Sequence, residues 1–458
     1  MTTASGGRPA AASTEKIPLS LNQEFVLLFD QGDDDGPFGP HYHIIEAWRV
    51  TGKVDVAALQ AALRDVVDRH EALRTVIVRD ENDKHQKIYP AGAPELRVRD
   101  LDAAAGTSRE EQAEALIREL ENSTISAEHP PFLRAVLARF DEQDSVLAIQ
   151  THHIATDGWS VRVIIRDLVN RYAVHTGRSV PELPAAPQYR EFAAWQRDSP
   201  EAQPAAALDY WRKALDGALI SAIPTDFARS AGIPQSSGAH RFSIPADVVK
   251  AAARLGTSTR STTVMVLLAA YQLVVGRKTG SDDVIVATFT PGRGGRRFQD
   301  AVGSFFNFIP LRTDLHGAAT FRQVLERTRR TCLDAYSRDI PSIHIFGLAP
   351  QLMGPAMTDN AAAAVFQVFP DPVMLGEHAP GDLTLAEISR QPRPQERCSA
   401  LPDGVLWTLS TAPSGDMIVA ITFKRNIFSD ATIGEMATEF SRVLRDAVAA
   451  PDAPLKLT

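Results

Sequence analysis

Thr151-His152-His153-Ile154-Ala155-Thr156-Asp157-Gly158 is where this 458-residue chain concentrates groups able to do chemistry. An imidazole titrates near neutrality, so a histidine facing a cavity can take a proton from a substrate or support a charged intermediate. If the preceding residues run as a strand from Ser145 to His152, then Leu147, Ile149, Thr151 and His153 share one face. Val146, Ala148, Gln150 and His152 share the other. The two imidazoles then point in opposite directions, which argues against both holding one metal ion and against a zinc or iron site. One histidine is expected to be buried and hydrogen-bonded, the other to face a cavity. Asp157 falls in the following turn, where a carboxylate can hold a loop or an arginine. Gly158 permits close backbone approach or a positive φ. Trp159 and Ser160 open a helix whose first N–H groups have no intrahelical acceptor.

The elements that must position this stretch are legible on both sides of it. Residues 43–50 suit a strand, and Asp55 can cap a helix with Leu59, Leu63, Val66, Val67 and His70 on one stripe. Strands are expected at 74–78, 133–138 and 145–152, a charged amphipathic helix at 108–121, and a helix from about Trp159 to His175. Pro181, Pro184 and Pro187 mark the expected junction between two halves. Beyond it, 262–276 reads as a helix apolar on most sides, 284–289 as a buried strand and 321–336 as an amphipathic helix. Strands follow at 363–369, 405–410 and 418–423, then a helix carrying Ile433, Met436, Phe440, Val443 and Leu444. The class is α/β (α+β), sheets covered by helices. The expected division is a disordered tail at 1–16, a first lobe at 17–185 with the histidine motif and a second lobe at 186–458.

Composition narrows the function classes. Length suits two lobes, and 44% apolar with 23% charged residues is the balance of a soluble globular protein. A net charge of −8 with no clustered basic face gives no reason to expect nucleic-acid binding. Cys332 and Cys398 form neither a disulfide framework nor a paired metal motif. No apolar run approaches the roughly 20 residues that span a bilayer, and the first residues lack the apolar region of a secretory signal. A cytoplasmic protein without membrane contact is expected.

The segment from Thr151 to Ser160 closely resembles the HHxxxDG core of condensation domains of nonribosomal peptide synthetases. Leu19-Ser20-Leu21-Asn22-Gln23-Glu24 resembles that family's opening motif, and Arg69-His70-Glu71-Ala72-Leu73-Arg74-Thr75 its RHExLRT. Residues 189–196 end in the expected Ala-Ala-Trp-Gln, and Val302-Gly303-Ser304-Phe305-Phe306-Asn307-Phe308-Ile309-Pro310-Leu311-Arg312 resembles VGxFVNTLPLR. These stretches keep the family's order across about residues 17–445. Two later ones depart from it: HQDxPFE is replaced by Arg338-Asp339-Ile340-Pro341-Ser342-Ile343-His344, and YNxxLF by Phe423-Lys424-Arg425-Asn426-Ile427-Phe428. The departures count against the usual peptide-extending role.

The resemblance implies two chloramphenicol-acetyltransferase-like lobes in one chain, a V-shaped pseudodimer with a central tunnel. It implies an acyltransferase that takes its acyl group from the phosphopantetheine arm of an acyl or peptidyl carrier protein, with no tightly bound cofactor and no metal. No adenylation or carrier-protein motif accompanies the domain, so a free-standing condensation enzyme of natural-product biosynthesis is expected, of the kind found in enediyne assembly. It would act on a soluble alcohol or amine, with alcohol slightly favoured. The alternatives are an acyl-CoA-dependent acyltransferase of the same superfamily and a non-enzymatic docking module. Wax-ester-synthase and plant-type signatures are missing, and docking relatives have usually lost the second histidine.

For single residues, the resemblance implies that His153 carries the chemistry, as general base or by positioning the acceptor and supporting the tetrahedral intermediate. His152 and Asp157 are expected to be structural. Asp157 would pair with an arginine, Arg293 or alternatively Arg74, tying the lobes together. Gly158 would let the thioester pass and lend its N–H to an oxyanion. Asn307 would line the tunnel or make a structural amide bond. Ser160 would cap its helix or touch the pantetheine arm, and Trp159, a further substrate candidate, is read mainly as packing.

Overall fold

The computed structural model describes residues 16–101, 106–368, 383–388, 395–397, 404–412 and 414–455. The expected tail therefore lies outside the described residues apart from Lys16, as do Cys398 and Phe369. The chain forms two compact units. The first comprises residues up to Ser199 together with Arg293–Phe305 and, among the described residues, 383–388; the second holds the remainder.

In the first unit a mixed sheet has the order Thr384–Glu387, His43–Thr51, Asp144–His152, Leu133–Asp141, Glu95–Asp100. All neighbours are antiparallel except the last pair. The alternation along 145–152 sorts its side chains into two different cores. Leu147 and Ile149 pack with Leu59, Leu63 and Val66 of the helix Val56–Arg69 and with Ile164 and Leu168 of the helix Gly158–His175. Val146 and Ala148 pack with Leu116, Ile117 and Leu120 of the helix Arg109–Glu121. With both faces covered, the strand carrying the motif is buried along residues 145–152, and each large apolar side chain so buried contributes about 1.5–3 kcal/mol. Asp55 and Ser108 cap their helices by accepting from Ala58 N–H and Glu111 N–H.

The first unit does not end near residue 185. The helix Tyr189–Asp198 belongs to it, because its aromatic side chains pack inside. Phe192 lies 4.6 Å from Phe305 and 5.3 Å from Phe298 between ring centroids, and Tyr189 lies 4.9 Å from Phe305. The same aromatic cluster draws 293–305 out of the second half of the chain.

The second unit has a sheet ordered Asn307–Asp314, Asp283–Thr290, Ala361–Val368, Gly404–Thr411, Met417–Lys424, Ser237–Ile244, Gln395–Arg397, with Ala222–Pro224 also paired to Ala361–Val368. The apolar helix Thr263–Thr279 is buried from Met265 through Val275. Its buried amide, Gln272, is satisfied: Nε2 donates to Thr313 Oγ1 at 2.9 Å, and Oε1 accepts from Thr328 Oγ1 at 2.7 Å. The helix stops at Gly280, whose φ of 66° an L side chain would resist. Among the described residues no helix is long and apolar enough to cross a membrane.

Candidate active site

The strand Asp144–His152 ends at the expected residue, so His153, counted with its face, lies just beyond it. His152 is its last residue, and His153 begins the turn leading to the helix Gly158–His175. Both imidazoles are held by backbone, in separate environments. His152 is fully buried; its Nε2–H donates to the Gly39 carbonyl at 3.2 Å, and its Nδ1 accepts from Ile154 N–H at 3.2 Å. Burial pushes its pKa down to about 3, so it is a neutral structural group.

His153 is half-buried. Its Nδ1–H donates to the Thr156 carbonyl at 2.7 Å, which leaves the imidazole lone pair on Nε2. Its backbone N–H donates to the Tyr42 carbonyl at 2.8 Å, and its ring stacks on that of Tyr42 with centroids 4.7 Å apart and planes 11° apart. Burial holds its pKa below the ordinary histidine value, although the bond to Thr156 and the charge of Asp157 act the other way. A neutral imidazole with a fixed tautomer is ready to accept a proton at Nε2. Thr156 also ties the turn together, its hydroxyl bonding Thr151 Oγ1 at 2.6 Å and the His152 carbonyl at 3.2 Å.

Asp157 is the N-cap of the following helix and the hub of a buried network. Oδ1 accepts from Ser160 N–H at 2.7 Å and from Arg293 Nη2 at 2.7 Å, and Oδ2 accepts from Phe305 N–H at 3.2 Å. Arg293 is 4% exposed and held through both terminal nitrogens: Nη2 also reaches Ser160 Oγ at 2.9 Å, and Nη1 donates to the Ala301 and Phe298 carbonyls at 2.7 and 3.0 Å. Its guanidinium lies 4.1 Å from the Phe305 ring centroid. Burial lowers its pKa against the opposing pull of Asp157. The pair does not tie two lobes together, because 293–305 and Asp157 belong to the same unit. Arg74 is elsewhere, donating to the Tyr89 carbonyl at 2.6 Å.

The other candidates divide. Gly158 is the first helical residue and has no positive φ, so backbone strain does not call for glycine there. Ser160 neither caps the helix nor is accessible; it is fully buried, donating to the Gly303 carbonyl at 2.8 Å and accepting from Gly303 N–H at 3.1 Å. Trp159 is 37% exposed, and its indole N–H donates to the Gln299 carbonyl at 2.8 Å. Asn307 lies in the second unit with its amide engaged on both sides. Nδ2 donates to Asp339 Oδ1 and the Ile340 carbonyl, both at 2.6 Å, and Oδ1 accepts from Ser342 N–H and Oγ at 2.7 and 2.6 Å. These are the bonds of a structural amide.

Three contributors, Tyr42, Gly39 and Asp167, escape the sequence reading. Tyr42 and Gly39 precede the first strand, and only the pairing of His43 with His152 brings them to the motif. Asp167 is fully buried, taking hydrogen bonds from Arg69 Nε at 2.8 Å and His70 Nε2 at 2.9 Å. Gly303 shows why the Val-Gly-Ser stretch needs glycine, since a Cβ there would sit 1.9 Å from the Tyr189 ring. Among the described residues no cluster of histidine, cysteine or carboxylate side chains suits a metal ion.

The chain is similar to known proteins along nearly its whole length. SgcC5 from Streptomyces globisporus, solved in complex with (R)-(-)-1-(2-naphthyl)-1,2-ethanediol and sucrose, is 44% identical with a TM-score of 0.91, over 96% of this chain and 100% of that one. The X-domain from teicoplanin biosynthesis shares the fold at 24% identity, with a TM-score of 0.76 over 97% of this chain and 98% of that one. The dimodular nonribosomal peptide synthase of Bacillus subtilis is 30% identical over 96% of this chain, which spans 18% of that much longer protein. The family model described as the condensation domain matches residues 13–457. The chain belongs to the condensation-domain family, the acyl-transfer domains of nonribosomal peptide synthetases and related natural-product pathways.

Proposed function

We propose that this chain transfers an acyl group from a carrier-protein phosphopantetheine thioester to a small alcohol or amine in natural-product biosynthesis, with the alcohol favoured. The carrying observation is the hydrogen bond from His153 Nδ1–H to the Thr156 carbonyl at 2.7 Å, which presents a basic Nε2. In the proposed step Nε2 takes the acceptor's O–H proton as its oxygen attacks the thioester carbonyl. The tetrahedral intermediate then collapses, the C–S bond breaks, and the thiolate recovers the proton from the imidazolium. An amine at neutral pH is partly a free nucleophile already, whereas an alcohol must lose its proton during attack, so the base matters more for ester formation. The diol bound by the 44%-identical SgcC5 supports an alcohol acceptor. The carrier-bound donor rests on kinship with the synthetase domains. Gly158, at the helix start, is our choice for an oxyanion-facing N–H.

The test is product formation by mass spectrometry from a loaded carrier protein and matched hydroxyl and amine acceptors. His153→Ala should lower turnover about 100-fold or more while the protein stays folded. Near-wild-type turnover of that variant overturns the role of His153. Equal kcat/KM with acyl-CoA overturns the carrier donor, and an amine reacting at least tenfold faster than its alcohol twin overturns the acceptor.

A further inference from the structure

We infer that Tyr42 is a positioning residue for His153, holding the imidazole plane and steadying through its ring face the imidazolium that forms when Nε2 takes the acceptor's proton. The inference rests on the reading of His153 as the base. Two independent contacts join the residues. The Tyr42 carbonyl accepts the His153 backbone N–H at 2.8 Å, and the rings lie nearly parallel at 4.7 Å. Thr156 fixes the imidazole in its plane through Nδ1 at 2.7 Å, and Tyr42 fixes it from one face.

The consequence is a difference between two states of one ring. A neutral imidazole gains only stacking from an aromatic neighbour. An imidazolium within about 6 Å of a ring centroid also gains attraction to the negative π-face. Stabilisation that arrives with the proton lowers the barrier and leaves ground-state binding unchanged. Other charges near His153 do not replace it. Asp157 favours the charged ring, but its carboxylate is engaged by Arg293, Ser160 and Phe305. His152 is neutral, and His43 bonds the Pro40 carbonyl at 3.3 Å. Burial opposes the charged form of His153, and it raises the Tyr42 phenol's pKa so that the stacking ring stays uncharged.

The experiment is an NMR titration of the His153 Cε1–H resonance in the full chain, assigned by its loss in His153→Ala. Four proteins are compared: wild type, Tyr42→Phe, Tyr42→Leu, and a protein with pentafluorophenylalanine at position 42. The last keeps the shape of the ring and reverses its quadrupole, so it reports even where Tyr42→Leu fails to fold. We expect about 3- to 30-fold weaker proton affinity in the leucine and pentafluoro proteins, and Tyr42→Phe within about twofold of wild type. The kcat of acyl transfer should fall by a similar factor with KM unchanged. Unchanged or stronger proton affinity in the pentafluoro protein overturns the inference, as does a loss in Tyr42→Phe matching that in Tyr42→Leu. If His153→Ala retains turnover, the base assignment falls by itself, because the titration is read without substrate.

Discussion

The turn after His152 in the first unit and the turn after Lys424 in the second are the same backbone device. Each follows a central antiparallel strand, Asp144–His152 or Met417–Lys424, and spans four residues to an N-cap, Asp157 or Ser429. Each closes with an N–H of its third residue donating to the carbonyl of the last strand residue: Ala155 to His152 at 3.0 Å, Ile427 to Lys424 at 3.2 Å. Each cap accepts from the N–H three residues on, at 2.7 Å from Ser160 and 3.2 Å from Thr432. At the fourth turn position, Phe428 N–H reaches the Lys424 carbonyl at 3.0 Å, while the Thr156 hydroxyl reaches the His152 carbonyl at 3.2 Å.

The two differ in what the module carries. In the second unit Ile427 and Phe428 fill the turn with apolar bulk, and its charges, Arg425 and Asp430, pair at the surface. In the first unit the module carries the His153 imidazole and a buried ion pair, Asp157 with Arg293. The geometry comes from the backbone device, and the chemistry comes from side chains that a merely stable turn does not need.

The largest contrast is at the caps. Asp157→Ala should destabilise the first unit by about 3–5 kcal/mol, because it strands a buried guanidinium. Ser429→Ala should destabilise the second by about 1 kcal/mol, the loss of a neutral cap. Hydrogen exchange at the two helix starts reads each separately, and equal losses would break the comparison.

Acid comes next. His152 binds protons more weakly folded than unfolded, with a folded pKa of about 3 against an ordinary 6.5. Its contribution is intact above the unfolded value and drains away as pH falls from there towards 3, by roughly 2–3 kcal/mol at pH 4.5. His153 and His70, also lowered by burial, add losses of the same sign. Half-buried His240 in the second unit shares the downward shift, so the comparison is made at the helix starts themselves. Protection at Gly158–Ile164 should fall before protection at Asp430–Met436 as pH drops from 7 to 4.5, and simultaneous loss counts against this account.

The smallest effect is at Arg425, whose contacts with Asp430 are 3.1 Å long and whose partner is 57% exposed. Arg425→Ala should change stability by less than about 1 kcal/mol, and less still in high salt. A loss as large as that of Asp157→Ala would mean that surface and buried pairs weigh alike here.

Much of this is legible in sequence, because period and capping are local. The helix Phe321–Tyr336 falls on its expected bounds, and Asp144–His152 starts one residue before its own. Asp157 and Arg293 both come into view from the family pattern. What stays hidden depends on long-range pairing. Tyr42 reaches His153 only through the register of His43 with His152. Ser160 reads as a cap in sequence because its buried partners at Gly303 and Arg293 lie more than a hundred residues away. The prolines misplace the junction because proline marks a break in local structure and says nothing of which core the next helix, Tyr189–Asp198, will enter.

The separation of Asp157 from Arg293 also has a consequence in time. The two are 136 residues apart in the chain. At a synthesis rate of about 5–20 residues per second, Arg293 emerges roughly 7–27 s after Asp157. The strand Thr384–Glu387, which lines the outer edge of the same sheet beside His43–Thr51, comes later still. The first unit is therefore not vectorially folded. A nascent chain ending near Ser199 has its histidines and the Asp157 carboxylate but not yet Arg293, so the turn after His152 should mature only after translation has passed residue 305.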